Sequence, residues 1–484
     1  MVAETDRKHA LFVGPPMFGH ITPLMELAKK LTTHNFHITF AVSAAKAEEI
    51  VDRGYLPERF RSSIDIYPLH DGLPSDIDTH TDTSHFEEMQ APMEAPLGEL
   101  LENMPTSWDE NAALKNGPDR NGKGSLSNIL PVDLVVCCAT MYQPPTVCSQ
   151  RGIPCFLVHT GSPFFLSMMR GLDFRLLPTI TDEAYSDPTA PSKPAGIPIG
   201  MLDHFVKLQT IYGVGDTSPL HSGIIANGFD GMDPELWKVL ENMPKDFIHS
   251  LHFIGPMLQA EDKLPATGKK AILAEKVAEW LDRQENGSVI YLSFGSMVFP
   301  QPHELLTLGR ALLALGKPFI FSLRAEQQVH LPEIIQEKTA EQFETPYAPY
   351  LVIPWAQQQR ILAHPATKVF LSHCGWNSTL EALWYGKPVV AWTLFADQPI
   401  NADYLVDLGM AVRIQLTSLR TTKVTTEAEL LSAFNKVGGW SAGARDDESC
   451  FEKAQQMALK AKQAMAPNGS SVKNFQKLLT LFRS

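Results

Sequence analysis

Between Trp355 and Gln398 the chain reads WAQQQRILAHPATKVFLSHCGWNSTLEALWYGKPVVAWTLFADQ. An apolar strand, VFLSHCG, ends in a Cys-Gly turn, and Trp376-Asn377-Ser378 open a helix. Free amide N–H groups and the macrodipole at a helix start favour an anion such as phosphate. A second strand, PVVAW, leads to an acidic exit at Asp397-Gln398. Together these pieces form half of an α/β unit suited to holding phosphate and sugar. Far upstream, Gly19-His20 lies where a strand gives way to a helix.

The elements that must position these residues can be read from the hydrophobic pattern. Residues 9–14 (HALFVG) end in Gly14-Pro-Pro, and ITPLMELAKKL after His20 has helical apolar spacing. A strand, a tight turn and a helix begin a doubly wound α/β domain. ITFAVS (38–43), DLVVCCAT (133–140), PCFLVHT (154–160), GIIANGF (223–229) and HFIGPM (252–257) continue it. The continuous apolar runs suit parallel strands buried on both faces. A polar segment with Pro and Gly comes after residue 43, and residues 115–127 read as an exposed loop. A second series comprises 288–296, a helix near 302–315, then 318–324, 351–355, 369–375 and 388–392. The expected division is a first domain over 1–257, a polar linker over 258–270 and a second domain over 271–462.

At 484 residues the chain exceeds the usual single-domain size. Its net charge of −13 argues against nucleic acid or an anionic membrane as the main partner. No run of 18 apolar residues suggests a membrane span, and the N-terminus lacks a signal-peptide pattern. Six cysteines (Cys137, Cys138, Cys148, Cys155, Cys374, Cys450) show no zinc spacing, and a reducing, cytoplasmic compartment is expected. The acceptor patterns at Asn286, Asn377 and Asn468 would then go unglycosylated.

Trp355–Gln398 resembles the sugar-nucleotide signature of plant secondary-product UDP-dependent glycosyltransferases. The likeness extends to Gly19-His20, to SVIYLSFGS and to NGSSVKNFQKLL near the C-terminus. It implies the GT-B fold: two facing Rossmann-like domains with a cleft between them, and a C-terminal helix (about 463–484) packing back on the first. It also implies a UDP-sugar donor, with UDP-glucose favoured by Gln398, and a small apolar acceptor such as a phenolic, flavonoid or terpenoid. No metal is required, and a monomer is expected.

Carried over residue by residue, the resemblance gives Trp355 a stacking role against uracil, with Gln358 and the Ala356 backbone nearby. Gln357 stands where the family usually has proline. His373 and the helix start at Gly375, Trp376, Asn377 and Ser378 would hold the diphosphate, with Ser296 adding a hydroxyl. Glu381 would take the ribose hydroxyls, and Asp397 and Gln398 those of the sugar. His20, after Gly19, would be the general base that deprotonates the acceptor, and neutral imidazole, with an unperturbed pKa of about 6.5, suits that work.

One departure concerns the aspartate that supports this histidine in the family. Asp133 and Gly152-Ile153-Pro154 keep the family register, and the matching position is Cys138. A thiol is mostly neutral at pH 7 and stabilises imidazolium poorly. Three readings stay open. His20 acts unassisted on acidic phenols; another group, Thr140 or an acidic residue of the 76–82 loop, replaces the aspartate; or the chain is a weak or inactive relative that only binds.

Two further features carry competing readings. Asp76-Ile-Asp78, with His80, Asp82 and His85, imitates a metal-binding motif, but in the half of the chain away from the phosphate signature. Gly14-Pro-Pro lacks the Gly-x-Gly-x-x-Gly spacing of a dinucleotide dehydrogenase. Phe164, Phe165, Met168, Met169, Phe174, Leu176 and Leu177 suit either irregular core or the wall of an apolar acceptor pocket.

Overall fold

The computed structural model describes residues 7–52, 55–69, 95–102, 131–163, 166, 179–180, 197–198, 219–232, 245–258, 268–296, 299–340, 342–343, 348–394, 397–414, 425–440 and 449–484. The loops at 76–82 and 115–127 lie outside them, as do the aromatic and methionine side chains between 164 and 177.

Two wholly parallel sheets organise these residues, and this is the GT-B architecture that the resemblance implies. In the first, β1 (Lys8–Val13), β2 (Phe36–Ser43), β3 (Ile64–Leu69), β4 (Leu134–Cys138), β5 (Cys155–His159), β6 (Gly223–Ala226) and β7 (Leu251–Phe253) stand in the order 3-2-1-4-5-6-7. β1 pairs with β2 on one side and β4 on the other, so the winding reverses between β1 and β4. In open α/β sheets ligands bind at that reversal, beyond the carboxyl ends of the strands. Helix α1 (Phe18–Thr32) leaves the end of β1 at this point.

β3 lies in the stretch read from the sequence only as a polar segment with Pro and Gly. Its burial alternates poorly and it carries Pro68, which hides a strand signal. It lies at the sheet edge, where a residue without an N–H is tolerated.

The second sheet holds β8 (Val289–Ser293), β9 (Phe319–Ser322), β10 (Tyr350–Ile353), β11 (Thr367–Ser372), β12 (Val389–Ala391) and β13 (Ala411–Arg413), in the order 10-9-8-11-12-13. The reversal here falls between β8 and β11. Separate apolar clusters cover its two faces. Trp280 and Leu281 of α2 (Lys269–Asp282) belong to one, and Leu305, Leu308 and Leu312 of α3 (Pro302–Leu315) to the other. The last helix, Ser470–Arg483, inserts Phe475, Leu478, Leu479 and Phe482 into the core of the first sheet. Phe482 meets Phe156 edge-on at 4.6 Å, and the Ser471 hydroxyl donates to Gly255 O at 2.6 Å.

Candidate active site

On the first sheet the chemistry gathers at the β1/β4 reversal. His20 is the third residue of α1, and its Nδ1 lies 2.8 Å from Thr160 Oγ1 and 3.1 Å from Cys138 Sγ. Cys138 ends β4 and Thr160 comes directly after β5, so three neighbouring strand ends meet at one ring nitrogen. Thr140 Oγ1 is 3.2 Å from the same sulfur. Among the described residues these contacts engage Nδ1, which leaves Nε2 as the nitrogen that can take a proton.

The electrostatics of the pair are coupled. Burial pushes the Cys138 thiol up, but the His20 charge and hydrogen bond, with Thr140, together hold it below the usual thiol value. For His20, burial pulls the imidazole down; the charge and hydrogen bond of Cys138, and then Asp397, outweigh it and leave the pKa raised. The two shifts share one cause, because an imidazolium and a thiolate 3.1 Å apart each favour the other's charge. Neighbouring His159 is held down at about 4 by burial and is neutral, with its ring nitrogen 2.9 Å from Ser162 O.

On the second sheet the β8/β11 reversal builds a cradle around His373. A Cβ on Gly295 would lie 2.7 Å from His373 Nε2, and one on Gly375 would lie 2.5 Å from it. Two glycines thus let the backbone close on both sides of the ring, and Gly295 also has φ +78°. Burial holds His373 down at about 4, so it is neutral. Its Nδ1 is buried with no hydrogen-bond partner among the described residues. Gly375 then caps helix α5 (Trp376–Tyr385) without a side chain, and the first amides of the helix face outward for an anion.

Beside this cradle lies a half-buried polar network. Gln358, at the start of helix α4 (Gln358–Ala363), accepts from Tyr291 OH at 3.1 Å and donates to Ser378 Oγ at 2.9 Å and to Glu381. Gln359 donates to the other Glu381 oxygen at 3.1 Å. Burial pushes the Glu381 carboxyl up to about 7 in spite of both amides. Trp355 is half-buried, with Lys270 Nζ 5.7 Å from its ring, and Ala356 beside it is also half-buried. Ser296 is exposed at the rim, its carbonyl accepting from Arg324.

The two halves touch where their chemistry lies. Asn377 Nδ2 donates to Gly19 O at 2.9 Å, and Trp376 Nε1 donates to Asn227 O at 2.7 Å. Asp397 begins helix α6 (Gln398–Asp407), where its carboxylate accepts from Asn401 at 3.0 Å. A Cβ on Gly161 would lie 3.5 Å from the Asp397 carboxylate, so the acidic exit of one half abuts the residue after Thr160 in the other.

Of the residues singled out in the sequence, Gly19, Trp376, Asn377 and Asp397 lie at this junction, and several have side chains already engaged. The Trp376 indole spends its N–H on the first sheet, and the Ser378 hydroxyl is taken by Gln358. Gln398 is buried, with its side-chain oxygen accepting from Leu394 N at 2.8 Å. Four further residues, Thr160, Gly161, Tyr291 and Gln359, emerge only from the structure. Thr160 and Gly161 do carry a signal, because they sit immediately beyond the C-terminal end of a parallel strand near the reversal. Tyr291 and Gln359 carry none. Among the described residues no cluster of three or more His, Cys, Asp or Glu could hold a metal ion, and no helix is long and apolar enough to cross a membrane.

Comparison with known proteins finds relatives in sequence and in fold. The family model described as "UDP-glucoronosyl and UDP-glucosyl transferase" matches residues 238–437. The chain is 31% identical over 291 residues to anthocyanidin 3-O-glucosyltransferase 7 of Manihot esculenta, covering 60% of this chain and 92% of that one. It is 31% identical over 292 residues to anthocyanidin 3-O-glucosyltransferase 1 of Fragaria ananassa, a match spanning 60% of this chain and 59% of the strawberry protein. The crystal structure of Medicago truncatula UGT71G1 complexed with UDP-glucose superposes with a TM-score of 0.71 at 23% identity, over 99% of both chains.

Proposed function

Since the chain belongs to the family of UDP-glucuronosyl and UDP-glucosyl transferases, we propose that it moves glucose from UDP-glucose to a hydroxyl of a small apolar acceptor, with inversion to a β-glycoside. A flavonoid-like phenol is the acceptor class that the names of its relatives favour. One observation carries the reading. The Asn377 amide at the mouth of the anion-binding helix reaches the carbonyl of Gly19, the residue before His20, at 2.9 Å. A diphosphate at that helix and an acceptor at His20 would be near neighbours.

In this reading uracil stacks on Trp355, the ribose meets Glu381, and the diphosphate lies over His373 and the amides of Trp376, Asn377 and Ser378. Asp397 and Gln398 take the sugar hydroxyls, which requires Gln398 to turn from its contact with Leu394. His20 Nε2 removes the acceptor proton as the oxygen attacks the anomeric carbon opposite UDP. Departing UDP gathers charge against fixed dipoles rather than reorganising water, so these residues need no metal to stabilise it. The linker in this reading falls within 258–270 and ends where helix α2 begins at Lys269, and the six free thiols suit a reducing, cytoplasmic setting.

The role of Glu381 has a consequence in pH. Ribose hydroxyls are held best by the carboxylate, and its pKa near 7 means that form is lost as pH falls from 8 to 6. Affinity for UDP-glucose is expected to weaken by roughly 10-fold over that span, which ends about one pH unit below the pKa. His373, already neutral, adds nothing to the change. Calorimetric titration of wild type and Glu381→Gln checks this: the variant should bind weakly at both pH values, and a flat wild-type profile would remove Glu381 from the ribose site.

Transfer itself is tested by incubating the protein with UDP-glucose and a panel of phenols and reading products by mass. A hexose-sized gain on an acceptor supports the proposal. Donor binding without any product would instead favour a protein that only binds.

A further inference from the structure

Resting on His20 as the base, we propose that Thr160 and Thr140 are positioning residues which, with the Cys138 sulfur between them, do for His20 what a carboxylate would. The His20 ring offers one nitrogen to the interior, and that nitrogen meets two atoms, Thr160 Oγ1 at 2.8 Å and Cys138 Sγ at 3.1 Å. Cys138 and Thr160 are both buried, and water does not compete for the contacts. The sulfur is in turn within hydrogen-bond reach of three polar groups: His20 Nδ1, Thr140 Oγ1 at 3.2 Å and Thr160 Oγ1 at 3.9 Å. Convergent donors around one acceptor favour its anionic form.

The hydroxyl and the sulfur divide the task. A Thr160 oxygen that accepts Nδ1–H fixes the tautomer in which Nε2 is bare and faces the cleft. Its own hydroxyl hydrogen is then free to turn toward the sulfur. Thr140, from the turn after β4, donates to the sulfur from another side. When Nε2 takes the acceptor proton, the imidazolium rests at Nδ1 against the Thr160 oxygen and the Cys138 sulfur, which its charge draws toward the anionic form. The proton moves from acceptor oxygen to Nε2, and Cys138 forms no covalent bond. Other titratable groups face this cluster. Asp397 comes from the start of α6 and raises the imidazole further, while His159 on β5 is neutral.

Thr160→Val, Thr160→Ser and Thr140→Val separate orientation from simple packing. Nitrogen NMR of His20 in the donor-free protein reads the tautomer, and thiolate absorbance against a Cys138→Ser blank reads the sulfur. Thr160→Val is expected to lower the Nδ1–H fraction and to reduce kcat by roughly 10- to 100-fold, the worth of a hydrogen bond to a group that becomes charged. Thr160→Ser should restore both, and Thr140→Val should move thiolate formation to higher pH. An unchanged His20 tautomer in Thr160→Val, or a loss confined to the KM for UDP-glucose, would overturn the proposal. His20→Ala keeping full transfer would sink the base reading instead, while the nitrogen spectra would still decide whether Thr160 orients the ring.

Discussion

Replacing His20 by alanine is expected to lower kcat/KM toward hydroxyl acceptors by on the order of 10²–10⁴-fold, the range of well-placed general-base catalysis. UDP-glucose affinity should change little, because no donor group in the reading depends on the ring. The effect should also be graded by pH. The His20 pKa is raised, chiefly by Cys138 against the opposing pull of burial, so the free base is lost on acidification at a pH above about 6.5. Activity should therefore rise with pH through that midpoint. Cys138→Ala removes the main raising influence and should shift the acid limb to lower pH, with Asp397 left as the remaining anion. Initial rates across pH for wild type, His20→Ala and Cys138→Ala check each part. A His20→Ala enzyme within a few-fold of wild type would exclude the imidazole as base.

The second large effect concerns the glycines around His373. At Gly375 a methyl group would sit 2.5 Å from His373 Nε2, closer than real Cβ contacts come, and two ring carbons lie only 3.3 Å away, so the whole ring must shift. The backbone there is unstrained, with φ −58°, so the consequence of Gly375→Ala is steric alone. Overpacking of this kind costs about 1–3 kcal/mol, or roughly a 5- to 150-fold loss of UDP-glucose affinity if the strain falls on the bound state. Gly295→Ala adds a left-handed conformation to a similar clash and should be worse. Gly98→Ala, where an added methyl meets nothing within 4 Å, is the control and should bind donor as wild type does. Titration with UDP-glucose measures all three. Unimpaired binding by Gly375→Ala would mean that the diphosphate does not lie against His373.

Sequence and structure were unequally informative about the two halves. Trp355 to Gln398 was legible because the donor side is built from one continuous segment, in which strand, turn and helix start occur within 44 residues. Its local geometry needs small residues at fixed places, and Gly375 is visible as a letter. The acceptor side is assembled by topology instead. His20 and Cys138 are 118 residues apart and His20 and Thr160 are 140 apart, brought together only because β1, β4 and β5 are neighbours. Cys138 stands out in the sequence as a missing carboxylate and Thr140 as a candidate to replace it, whereas Thr160 becomes visible only with the strand order. β3 was lost for another reason, since an edge strand with a proline keeps few of the signals of a buried one. Trp376 and Ser378, which carry the signature, use their side chains to join the two halves and to hold Gln358, so in the proposed reading only their backbone is left for the anion.

The measurement that tests the central claim most directly is the configuration of the product. UDP-glucose carries its sugar in the α configuration, and direct attack by an acceptor deprotonated at His20 inverts that carbon. Incubation with a planar phenol, followed by proton NMR of the glucoside, is predicted to show a β anomeric linkage, and none when His20 is alanine. An α-linked product, or a β-linked one formed equally well without His20, would contradict the account.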